Sequence, residues 1–310
     1  MSGLTWSDLT DGVGEVRGPD GRTLARYSWQ RANHPYFDAL RPLGHDGVLT
    51  THAPNDHRWH HGLWWSWKFL NDVLFWEDHP EYGGNRVGLG RSVVTAHEVF
   101  EDDDTLVVQE TLEWRVDTTG DVLLVEGRTI RLSVDPLIDG AWNQDWDQQW
   151  TAVVPVRFEA TPWPETPWGG YGGLNYRPAR AMVTDETIIG AGAQGVEALH
   201  GLRTPWAACT GVVDGAENDE PAHPAHGGVA LLQHPNNPRY PDPVYAFSAS
   251  TGFGFLATAP LMRESFALEE SEILRIRNRV LVLGGPADAA KLAAAHASFA
   301  ASTEDAPSSA

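Results

Sequence analysis

The chain has 310 residues, 42% hydrophobic and 21% charged, ordinary proportions for a globular protein with a sizeable core. A formal net charge of −20 repels phosphate backbones and argues against a nucleic-acid partner. No run of about 18 apolar residues is present to span a membrane, the opening MSGLTWSDLTDG reads as no signal peptide, and the single Cys209 excludes an internal disulfide and fits a cytoplasmic protein.

Period-two alternation dominates the chain. Strands are expected near Gly14–Gly18, Thr23–Trp29 and Arg86–Phe100. In Thr105–Asp117, Leu106, Val108, Leu112, Trp114 and Val116 share one face, while Gln109, Thr111, Glu113 and Arg115 take the other. Val122–Val134 follows the turn signal Thr-Gly-Asp, so the two segments read as a hairpin. Further strands are expected near Trp150–Ala160, Pro205–Val213, Gly227–Gln233, Gly252–Ala257 and Ile273–Leu283. Only Pro286–Ser302, alanine-rich with a proline near its start, reads as a helix. The fold class is all-β: a large two-sheet antiparallel β-sandwich with a C-terminal helix, one domain over residues 1–303, and a disordered tail over 304–310.

One segment stands out for chemistry. Thr51–Glu77 packs His52, His57, His60, His61 and Asp56 together with Trp59, Trp64, Trp65, Trp67 and Trp76. Histidine titrates near neutral pH and ligates metals, and indole offers a flat face to a ligand. A core needs neither in such density, so the segment reads as one wall of a ligand site. Pro54 and Gly62 flank the histidines, which favours a loop entering a strand over a helix. On a strand His60 and His61 point to opposite faces, so at most one joins the pocket through it. The spacing lacks a zinc register, and a divalent metal on these histidines stays open.

Two more segments carry polar groups that a core excludes. Gln233–Pro241 sets His234, Asn237 and Arg239 among prolines after an apolar strand, donors and acceptors suited to hydroxyls, carbonyls or a carboxylate. Trp168–Arg180 adds Tyr171, Tyr176, Arg177 and Arg180, with Arg180 assigned to the pocket, and Pro162–Gly173 reads as a ligand-facing loop. Glu77 and Glu264 each lie near an apolar strand and either suits a base. No nucleophile elbow and no glycine-rich dinucleotide fingerprint is present.

HPYFDALRPL, NDHRWHHGLWWSWKFLNDVLFWE, GGLNYRPAR, QHPNNPRYP and ILRIRNRVLVLGG, spread over residues 34–285, resemble successive blocks of the PmoA-like family, often labelled "methane oxygenase PmoA". The resemblance implies a soluble β-protein similar to the galactose-mutarotase-like supersandwich, from genes that keep company with sugar oxidoreductases. It is this resemblance, not composition, that points to carbohydrate. In mutarotase-like sites a histidine acid and a glutamate base act at the anomeric centre.

The expectation is therefore a carbohydrate-active enzyme performing epimerisation, elimination or hydrolysis on a sugar or oxidised sugar derivative. His57, His61, His234 and Glu264 form the catalytic set, while Asp56, His60, Trp64, Trp76, Tyr176, Arg180, Asn237 and Arg239 hold the substrate. His57, His61, His234 and Arg239 should line one cavity. A sugar is the expected partner, and a homo-oligomer stays open. The alternatives are a non-catalytic sugar-binding protein and a metal-dependent oxygenase.

Overall fold

The computed structural model describes residues 3–83, 88–214 and 224–302. The pairings between its strands are antiparallel, with two isolated parallel bridges beside them, and they form sheets of eight, nine and four strands. The expected two-sheet antiparallel sandwich is what the structure contains, with the small third sheet in addition.

The hairpin of Thr105–Val116 and Val122–Val134 forms as read, and Ile273–Leu283 lies in the same nine-stranded sheet. The strand between them, Trp142–Ala152, was missed except at its end. Its inward positions alternate indole with amide: Trp142, Gln144, Trp146, Gln148 and Trp150 are all buried. Gln148 donates to Glu126 at 2.8 Å, and Glu126 also takes bonds from Trp114 and Arg128 at 2.8 Å each. Each amide thus has a buried partner, Glu126 for Gln148 and the Trp146 indole N–H for Gln144, which is what lets them sit in a core. The outward Asp145 and Asp147 pair with Arg279 and Arg275 on the neighbouring strand. The single strand expected over Trp150–Ala160 is two pieces, because the chain leaves the nine-stranded sheet after Ala152 and resumes as Val156–Glu159 in the small sheet. The strand expected from Arg86 begins at Gly90, residues 84–87 lying outside the described residues, as does the tail from 304 onward.

The two large sheets share one core. Leu63, Trp65, Leu174 and Leu256 of the eight-stranded sheet pack with Trp146, Trp150, Val229 and Ile276 of the nine-stranded sheet. Trp65 and Trp150 lie 5.1 Å apart between ring centroids, and Phe37 meets Trp146 at 5.8 Å. The C-terminal helix, Ala289–Ala300, covers the other face of the nine-stranded sheet with Leu292, Ala295 and Phe299. It starts three residues later than Pro286, because the Asp288 side chain caps the backbone N–H groups of Ala290 and Lys291. Among the described residues no helix is long and apolar enough to cross a membrane.

The outer face of the eight-stranded sheet carries a separate aromatic cluster. Leu63–Ser66 is buried on both faces, so Leu63 and Trp65 enter the shared core while Trp64 enters this second cluster. Phe253–Thr258 follows the same rule: Leu256 faces inward, and Phe255 and Ala257 join Trp59, Trp64, Trp76 and Tyr245 outside.

Candidate functional site

A cavity of about 900 Å³ opens over this outer cluster. Its floor is Phe253, Phe255 and Tyr245 from adjacent strands, joined by Trp59, His60 and Trp76.

One wall is the loop 53–60. An antiparallel bridge between His52 and His61 closes its neck, and His57 N–H and His60 N–H donate to Pro54 O and His57 O at 3.0 Å each. Gly62 allows the exit: its φ is +90°, and a Cβ there would stand 2.7 Å from Phe37 O. The curled loop puts Asp56, His57 and His60 at the cavity. Arg177 Nη2 donates to Asp56 Oδ2 at 2.9 Å, Arg180 also pairs with Asp56, and Asp56 Oδ2 lies 3.0 Å from His57 Nδ1. Burial alone would raise the Asp56 carboxyl, but the His57 hydrogen bond and the Arg177 charge outweigh it and hold the pKa at about 2.

Opposite protonation patterns follow for the two imidazoles. Asp56 is a pure acceptor when ionised, so His57 Nδ1 carries the proton and Nε2 keeps a lone pair. Arg177 is a pure donor and sits 3.3 Å from His60 Nδ1, so that nitrogen accepts and His60 Nε2 carries the proton. The ring centroids are 4.7 Å apart. Burial lowers the pKa of both, with Arg177 adding to the effect and Asp56 opposing it at His57. Both rings are therefore neutral near pH 7.

The facing wall is built by a hairpin. Asn71 and Asp72 both have positive φ, +48° and +65°, the two-residue turn whose twist suits a tight hairpin. It folds Phe69–Leu70 onto Val73–Leu74, brings Phe75 N–H to Lys68 O at 3.0 Å, and sets Lys68 beside Glu77. Lys68 Nζ donates to Glu77 Oε1 and Oε2 at 2.5 and 2.6 Å and to Tyr171 OH at 2.6 Å. Tyr171 OH donates in turn to Glu77 Oε1 at 2.9 Å. Burial pushes Glu77 up and Lys68 down, and their mutual attraction opposes both shifts. The two walls meet across the floor: His60 and Trp76 are 6.2 Å apart by centroid, and Trp76 and Tyr171 are 4.8 Å apart.

A family model, "Family of unknown function (DUF6807)", matches residues 18–297. The chain belongs to the DUF6807 family. The description of DUF6807 carries no activity and no methane-oxygenase label, so the PmoA-like reading stays a resemblance. No curated protein matches the sequence. A solved structure it is similar to is the GH36 alpha-galactosidase AgaA from Geobacillus stearothermophilus, with 10% identity and a TM-score of 0.40. The match covers 91% of this chain and 41% of that one, so this chain spans well under half of that enzyme's length. Likeness at this level bears on neither activity nor substrate.

In this DUF6807 member the structure brings together only part of the expected site. Asp56, His57, His60, Trp76 and Arg180 line the cavity. His61 does not. It stacks on Tyr36 at 4.5 Å with His52 at 5.2 Å, over the neighbouring strand of the same outer cluster and outside the cavity lining. Trp64 lies beneath the floor, fully buried, 5.2 Å from His60. Tyr176 belongs to the shared core, where its hydroxyl donates to Leu49 O at 2.7 Å, because its strand position faces inward.

The expected convergence of His234 and Arg239 with His57 and His61 is corrected by the structure. His234 is buried 5.1 Å from Phe299 of the C-terminal helix, with Nε2 3.1 Å from Arg277. Asn237 bonds the backbone of Arg277 through both side-chain atoms, at 2.8 and 2.7 Å. Arg239 donates to Glu264 O and Ser265 O and stacks on Phe266 at 3.7 Å, while the Glu264 side chain is exposed. None of these four lines the cavity. His234, Asn237 and Arg239 spend polar groups on turns and neighbouring strands.

Arg177, Lys68 and Tyr171 are the residues that sequence reasoning left out of the site. Lys68 carried one usable signal: a lysine between Trp67 and Phe69, in a run otherwise apolar, must find a buried anion. Among the described residues no group of three or more His, Cys, Asp or Glu side chains gathers to hold a metal ion. The inner nitrogens of His57 and His60 are taken by Asp56 and Arg177, and the Arg177 guanidinium beside them disfavours a cation, so these residues do not fit a metal.

Proposed function

We propose that this protein is a carbohydrate-active enzyme whose chemistry is proton transfer within the aromatic cavity. The observation that carries the reading is the opposed hydrogen bonding of two neighbouring imidazoles, one ring nitrogen against a carboxylate and the other against a guanidinium. His57 offers a lone pair at Nε2, and His60 offers a proton at Nε2. A base and a donor with rings 4.7 Å apart can take a proton from one substrate atom and supply one to another. Asp56 orients His57 and stabilises it as it becomes charged, and Arg177 fixes the tautomer of His60. Epimerisation, elimination and hydrolysis at a sugar carbon each need such a pair. Sugar rings present C–H faces to indole and phenyl rings, and Trp76 and Tyr171 stand beside the imidazoles. The resemblance to the PmoA-like family points the same way.

The test is proton NMR of the protein mixed with a panel of hexoses, glycosides and keto-sugars, which reads all three reactions at once. A product formed by the wild type and lost in His57→Ala supports the enzyme reading. Binding without product, unchanged in His57→Ala, favours a non-catalytic sugar-binding protein, which needs the aromatic faces but not the opposed imidazoles.

A further inference from the structure

The charge, volume and rim of the cavity narrow its ligand, on the carbohydrate reading just given. The cations at the cavity are already engaged. Arg180 is the sole Lys or Arg among the described lining residues, and it pairs with Asp56. Behind the walls Arg177 serves Asp56 and Lys68 serves Glu77. Releasing either buried cation to meet a substrate carboxylate or phosphate would strand its present partner. The lip adds negative charge through Glu81, 63% exposed, on a chain of net charge −20. Both buried cations are thus committed to carboxylates, and the one lining cation, Arg180, already shares Asp56, which disfavours an anionic ligand.

The volume argues for more than one ring. About 900 Å³ lies near the top of the ~300–1,000 Å³ range of pockets that enclose drug-sized ligands. A single pyranose is far smaller than such a ligand and would leave most of the cavity to solvent.

The third observation is where the protein exposes aromatic surface. Among the described residues four aromatic side chains are exposed: Tyr82, Phe100, Trp168 and Phe247. Three of them, Tyr82, Trp168 and Phe247, line this one cavity. Tyr82 packs at 4.5 Å on Trp59 and Phe247 at 5.3 Å on Phe253, so each is braced against the floor while its other side meets solvent. Exposed aromatic surface gathered at one mouth marks a contact surface.

We propose that the cavity binds an uncharged two-ring glycoside. Its pyranose ring sits at the floor by His57, His60 and Trp76, and its second ring lies in the collar of Tyr82, Trp168 and Phe247.

The experiment is isothermal titration of the full chain with glucose, galactose and mannose, with their phenyl glycosides, and with phenyl glucuronide. At least one phenyl glycoside should bind about tenfold or more tightly than its parent hexose, equivalent to about 1.4 kcal/mol. Phenyl glucuronide should bind more weakly than phenyl glucoside. The double variant Tyr82→Ala/Trp168→Ala should lose the phenyl advantage and keep its affinity for the hexose. Both residues are exposed, and an unchanged melting temperature confirms the fold. Hexoses binding as tightly as their phenyl glycosides, a preference for the glucuronide, or an intact phenyl advantage in the rim variant each overturns the proposal while leaving the carbohydrate reading in place. Absence of binding by every sugar overturns both.

Discussion

Arg177 and Asp56 are 121 residues apart in the chain and 2.9 Å apart in space. Through the same guanidinium Arg177 reaches His60 and stacks on Phe253 at 3.6 Å, so one buried side chain holds a carboxylate, an imidazole and an aromatic ring in register. Arg177→Met keeps the bulk and removes both hydrogen bonds. It should cost about 1.5–3 kcal/mol, the range for a hydrogen bond to a charged group, with the half-exposed Asp56 keeping the loss modest. Urea denaturation of the variant checks this, and a loss under 0.5 kcal/mol would contradict it (about the scatter of a surface change).

The Lys68–Glu77 pair gives a sharper test because both partners are buried. Lys68→Met alone strands a carboxylate and should cost about 3–5 kcal/mol. Lys68→Met/Glu77→Leu removes both charges and should recover most of that loss. If the double variant is as unstable as the single one, the pair is not what the site relies on.

Acid should destabilise the protein in two stages. Burial holds His34 and His60 well below the ordinary imidazole value of 6.5 and His61 at about 3. Their unfolded forms bind protons first as pH falls below about 6.5, so stability is full above that pH and drops below it, by up to about 1.4 kcal/mol per unit for each histidine. Asp56, depressed from 3.8 to about 2, adds stability that persists above about pH 4 and is lost as pH falls through 2. Unfolding free energies measured from pH 8 to 3 should decline from about pH 6.5 downward. A flat profile to pH 5 would show that the imidazoles are not buried neutral.

Turnover separates the two histidine blocks. On whichever sugar reacts, His57→Ala should reduce kcat by roughly 10²–10⁴-fold, the range for a lost general base. Asp56→Asn should move the acidic limb of the pH–rate profile to lower pH, since the Asp56 carboxylate raises the pKa of His57 and Arg177 lowers it. His234→Ala should leave turnover unchanged, because His234 packs against Phe299 away from the cavity. Equal losses in His57→Ala and His234→Ala would return catalysis to the second block.

Local periodicity made the sandwich legible. Thr105–Val116 and Val122–Val134 show their alternation within a dozen residues, and Ala289–Ala300 announces itself by alanine content. Trp142–Ala152 escaped because its inward amides imitate a solvent face unless partners such as Glu126, which meets Gln148 from a different strand, are known. The site divides along the same line. Asp56, His57 and His60 were visible as a dense cluster, whereas the arginine that sets their protonation arrives from a strand end far along the chain. Gln233–Pro241 misled because a turn that bonds backbone through Asn237 and Arg239 uses the same residue types as a polar pocket.

The distribution of indoles gives the protein an optical reporter of its own. Of its fourteen tryptophans, Trp59, Trp76 and Trp168 line the cavity, while Trp65, Trp67, Trp114, Trp142, Trp146 and Trp150 are sealed between the sheets. Ultraviolet emission from the sealed set forms a constant blue background beyond the reach of a collisional quencher. Trp168, exposed at the mouth, is open to acrylamide, and any occupant shields it. The fall in the quenchable fraction when a ligand is added thus measures occupancy without a label, over a fixed share from the partly exposed Trp6, Trp29 and Trp163.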